Sequence, residues 1–159
     1  MRRIVRVLAI VVAVQLVTFV AGQVARLVMR RRTPGAADPL ADEFDLVNVM
    51  EGTEFASRAI ALRAASIQNI MGGVELDLTE AQLARGGAYV QVTTIMGGTE
   101  ITVPRGWRVA LLGQAMMGAH DLDVTPEDDL AFDAPILTVE GRTVLGAVGV
   151  RAVPARVPA

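Results

Sequence analysis

Ile70-Met71-Gly72-Gly73-Val74-Glu75-Leu76-Asp77-Leu78 returns as Ile95-Met96-Gly97-Gly98-Thr99-Glu100-Ile101-Thr102-Val103, and again as Met116-Met117-Gly118-Ala119-His120-Asp121-Leu122-Asp123-Val124. Weaker copies align at Met50-Glu51-Gly52-Thr53-Glu54-Phe55 and at Leu145-Gly146-Ala147-Val148-Gly149-Val150. With Met50, Met71, Met96, Met117 and Leu145 as anchors, the steps are 21, 25, 21 and 28 residues. That spacing suits one coil of a repeat architecture better than a catalytic motif.

After each glycine pair, apolar and polar residues alternate: Val74, Leu76 and Leu78 against Glu75 and Asp77, then Ile101 and Val103 against Glu100 and Thr102. A period of two marks a half-buried strand. Segments before the pair, such as Val90-Gln91-Val92-Thr93, alternate too and are rich in β-branched residues. Each repeat therefore reads as strand, tight glycine corner, strand and longer return. The expected fold is all-β, a single-stranded β-solenoid of about five coils over residues 43–153.

Gly72, Gly73, Gly97, Gly98, Gly118 and Gly146 are the expected structural corners, because a sharp turn calls for a positive φ that glycine adopts at little steric cost. Ala119 and Ala147 replace the second glycine while Gly118 and Gly146 persist, so the first position is expected to be the more demanding. The Glu51-Gly52 corner must differ. Stacking in chain order predicts two inward apolar columns: Phe55, Leu76, Ile101, Leu122 and Val150, and Met50, Met71, Met96, Met117 and Leu145. Among the returns, Thr79 to Gly87 suggests a short helical turn ended by Gly86, and Pro126 to Asp133 an acidic loop. Trp107 is expected to pack as a core or edge residue.

Ahead of this domain the composition changes. Residues 1–32 hold seven of the fifteen Arg and no acid, leaving eight Arg against all seventeen acids, a net charge of about −9, for the rest. Val7 to Ala25 runs nineteen residues without a charge. At about 1.5 Å per residue that nearly matches the roughly 30 Å of hydrocarbon in a bilayer, so residues 7–25 are expected to contact membrane lipid as one transmembrane helix. A cleaved signal peptide is the rival reading, and a buried core helix a third. Arg falls almost equally before and after the span, leaving orientation open. Pro34, Gly35 and Pro39 make residues 33–42 a linker, and residues 154–159 read as a frayed tail.

The chemistry on offer is narrow. An acidic domain is a poor nucleic-acid binder, and without Cys there is no disulfide, thiolate site or cysteine nucleophile. His120 has no second His or Cys to share a metal, and is expected to be solvated or locally paired. No catalytic residue, cofactor or metal ligand is expected. The less ordinary feature lies beside each corner, where Glu54, Glu75, Glu100 and Asp121 would line up as a stripe of carboxylates. Such a stripe is either a screened acidic surface or a docking strip for a basic partner segment or divalent cations.

The Met-Gly-Gly copies, with Val103-Pro104-Arg105-Gly106-Trp107-Arg108-Val109 and Leu145-Gly146-Ala147-Val148, resemble the C-terminal domain of LiaF-type cell-wall-active-antibiotic response proteins over roughly Asp42 to Val153. This sequence carries Met or Leu where that family usually has Phe before the glycines, and one membrane segment where its regulatory members have several. The resemblance implies a membrane-attached β-solenoid that serves as a regulatory partner in envelope-stress signalling. The expectation is thus a protein acting by protein contact, with a solenoid that self-associates end to end as the alternative.

Overall fold

The computed structural model describes residues 37–154. The expected span at 7–25 and most of the tail lie outside the described residues, among which no helix is long and apolar enough to cross a membrane. The fold is all-β: β1 (Glu43–Asn48), β2 (Glu51–Ala56), β3 (Ala64–Asp77), β4 (Ala88–Pro104), β5 (Arg108–Asp123) and β6 (Ile136–Val153). All six join one sheet through parallel pairings. The linker is partly structured, since the Arg58 amide donates to the Pro39 carbonyl at 2.6 Å and the Arg63 amide to that of Asp42 at 2.8 Å.

The long strands are bent at the glycines. Thr94 and Thr99 lie five residues apart, which in a straight strand is about 16 Å. Their hydroxyls are nevertheless 3.0 Å apart. The inward series also changes parity there, from Ile67 and Asn69 to Val74 and Leu76. Both arms then feed one core, in which Ile67, Val92, Val139, Leu76, Ile101 and Val150 are buried together. Each such side chain contributes about 1.5–3 kcal/mol when fully removed from water.

Register follows the repeat closely: Met71 pairs with Met96, Gly72 with Gly97, Glu75 with Glu100 and Leu76 with Ile101. The strand order does not follow the chain. It runs β1-β3-β4-β6-β5, with β2 also beside β3, so β6 lies between β4 and β5. The first expected column therefore reads Phe55, Leu76, Ile101, Val150, Leu122 in space. Val150 is 2% exposed, whereas Leu122 sits on the edge strand and is exposed.

The second column is corrected outright. Met50, Met71, Met96, Met117 and Leu145 are on the surface, from 36% exposed at Leu145 to 72% at Met50. The parity change explains it: the bend turns the residue just before each glycine outward, and the inward place falls to Asn48, Asn69, Thr94 and Thr143. Thr79 to Gly87 forms turns rather than a helix, with the Ala81 amide on the Leu78 carbonyl at 3.1 Å and the Gly87 amide on that of Ala84 at 2.8 Å. Gly87, not Gly86, takes the positive φ there, 85°. Pro126 to Asp133 is a loop containing one 3-10 turn at Glu127–Asp129. Trp107 is buried in the core. Strand β6 runs to Val153.

Candidate functional site

Each corner is built by close stacking. Gly72, Gly97 and Gly146 have φ of 125°, 120° and 140°, a region closed to most side chains. A Cβ on Gly97 would overlap the carbonyl oxygen of Gly72, and one on Gly146 that of Gly97. Gly118 lacks the positive φ but is held by the same contact, against Gly146. A Cβ on Gly73 or Gly98 would meet nothing within 4 Å. The first glycine is therefore obligatory and the second is not, which is why Ala119 and Ala147 are accepted. In the divergent first corner Glu51 takes the first-glycine register, and Met50 carries the left-handed φ, 61°.

Buried side chains brace these corners from inside. Asn69 Nδ2 donates to the carbonyl of Gly72 at 3.1 Å and to that of Gly98 at 2.9 Å. Asn48 Nδ2 donates to the Glu51 carbonyl at 2.8 Å and to Asn69 Oδ1 at 2.9 Å. Further along the column, Thr94 meets Thr99, and His120 Nε2 meets Thr143 Oγ1 at 3.2 Å. The two Asn side chains bond backbone carbonyls at the bend and the Thr and His side chains bond one another, as buried polar groups require partners. The signal of this ladder was present in the sequence as a polar residue two places before four of the five anchors, Asn48, Asn69, Thr94 and Thr143, with Ala115 in that place before Met117. His120 is locally paired, one of the two alternatives expected for it.

On the outer side, the structure brings together three of the four candidate carboxylates. Glu54, Glu75 and Glu100 occupy one register on neighbouring strands. The next place belongs to Gly149, and Asp121 follows beyond it. The stripe is thus broken by the intercalated β6, which also brings in Arg151, whose Nη1 lies 3.2 Å from Glu100 Oε1. Glu75, Glu100, Asp121 and Arg151 border an open groove of about 390 Å³ floored by Gly73 and Gly98. On the other side of the corner, Met71, Met96, Leu145 and Met117 form an exposed apolar row in register. Among the described residues, no group of three or more His, Asp or Glu is arranged to hold a metal ion.

The C-terminal domain of the cell wall-active antibiotics response protein LiaF matches residues 50–134, just over half of the 159-residue chain. The chain belongs to the LiaF family. That assignment ties this LiaF-family protein to the response to cell wall-active antibiotics. No curated protein and no solved structure matches it. The matched stretch holds the glycine corners of β3, β4 and β5 and ends just before β6.

Proposed function

We propose that this LiaF-family chain is a non-catalytic regulator or scaffold of the cell-envelope stress response, anchored in the membrane through residues 7–25 and acting by protein contact. Its bent parallel stack is read as a single-stranded solenoid, with each corner one step along a rod. The observation that carries this reading is the pairing of two in-register rows at the corner: exposed Met71, Met96 and Leu145 on one side, Glu54, Glu75 and Glu100 on the other. Neighbouring parallel strands repeat the same apolar and acidic groups about every 4.8 Å. Flexible, polarisable Met side chains adapt to a partner's shape, and the carboxylates favour one with basic residues.

A strain lacking the chain, carrying a reporter induced by a cell wall-active antibiotic, tests it. Deletion is expected to change the induced signal, the unaltered chain to restore it, and a Glu75→Arg/Glu100→Arg variant present at equal level in the membrane fraction to fail. An unchanged reporter on deletion refutes the role.

A further inference from the structure

The two ends of the sheet are finished differently. At one end β1 and β2 are six residues each, interrupted at Val49 and Met50, and carry Glu43, Asp45, Glu51 and Glu54. There the rings of Phe44 and Phe55 meet with centroids 4.9 Å apart. Short, charged and broken strands are the usual way to blunt an edge.

The other end has none of these devices. Strand β5 runs sixteen residues, pairs only with β6, and has no Asp, Glu or Arg from Val109 to His120. Leu112, Met116, Met117 and Leu122 on it are exposed. A long apolar edge of this kind is a template for another strand.

We infer that β5 is the interface of a closed, two-fold homodimer in which it pairs antiparallel with β5 of a second copy. Charge selects this partner and direction. Arg105 stands exposed just before β5, whose own Arg108 is paired with Glu127 at 3.2 Å, and Asp121 and Asp123 stand at its end, so antiparallel pairing brings Arg105 of each copy toward the acidic end of the other. Met116 falls at the bend of β5, between the pairings of Ala115 with Thr143 and of Met117 with Leu145, so a two-fold axis at Met116 sets bend against bend and places Met116 opposite its own copy. Head-to-tail growth would instead continue the register of the stack and set Asp121 against Glu54, like charges directly opposite. The contact is isologous and closes on itself, which forbids filaments. It does not rest on the partner or surface proposed above.

The full chain in detergent micelles tests the pairing, and the absence of Cys makes single-cysteine reporters clean. Light scattering is expected to give two chains per particle, and Met116→Cys a disulfide-linked dimer under mild oxidation. Met116→Asp, at a site 72% exposed, places like charges at the axis and is expected to give one chain per particle with an unchanged thermal melt. One chain per particle for the unaltered protein, a dimer that survives Met116→Asp, or a multimer ladder from a Glu54→Cys/Asp121→Cys variant would each overturn the inference.

Discussion

At the scale of single residues, two adjacent glycines of the same motif have opposite tolerances. Gly97→Ala must place a Cβ against the Gly72 carbonyl at a φ of 120°. Backbone strain and overpacking each cost about 1–3 kcal/mol, so a denaturant midpoint well below that of the unaltered chain is expected. Gly98→Ala fills open space and should stay within about 0.5 kcal/mol of it. Equal losses from the two variants would show that the carbonyl contact is not what fixes the glycine. Asn69 makes a separate claim. It is fully buried and donates to carbonyls on two strands, so Asn69→Leu removes both hydrogen bonds, at about 0.5–1.5 kcal/mol each. A thermal melt of Asn69→Leu within a degree of the unaltered chain would show that the ladder only fills space.

At the scale of elements, the bends and the strands were legible in the sequence for different reasons. Alternation after each glycine pair gave Val74, Leu76, Ile101 and Val103 as inward residues, and all four are buried. The Met row is apolar throughout and in register, which suits a core column, yet it faces solvent. A bend resets which residues face in, so Asn69 and Thr94 occupy the interior although a hydrophobicity count prefers Met71 and Met96. Polar groups are accommodated inside here because the bend brings them partners, two backbone carbonyls for Asn69 and the Thr99 hydroxyl for Thr94. The acidic row was legible as a register but not as a surface. Arg151 neutralises part of it from β6, and only the spatial order of the strands reveals that neighbour.

At the scale of the whole molecule, that order was the part least accessible from the chain. Repeats of similar sequence specify which residues align, yet any two of them align equally well, so similarity alone leaves their sequence of stacking open. Here β6 pairs with β4 through sixteen residues, from Ala88 with Leu137 to Pro104 with Val153, and with β5 along its other edge. Removing residues 136–159 should therefore abolish the cooperative melt, although the family match ends at residue 134. A truncated chain that still melts cooperatively and keeps its β-sheet signal by circular dichroism would show that β5 can close directly on β4. The intercalation also sets a clock. During synthesis β5 leaves the ribosome before the strand that must come between it and β4, so the slot has to stay open until β6 follows it out. The sheet is complete only once β6 has emerged and taken its place between β4 and β5, and any contact made through its completed surface waits for that moment.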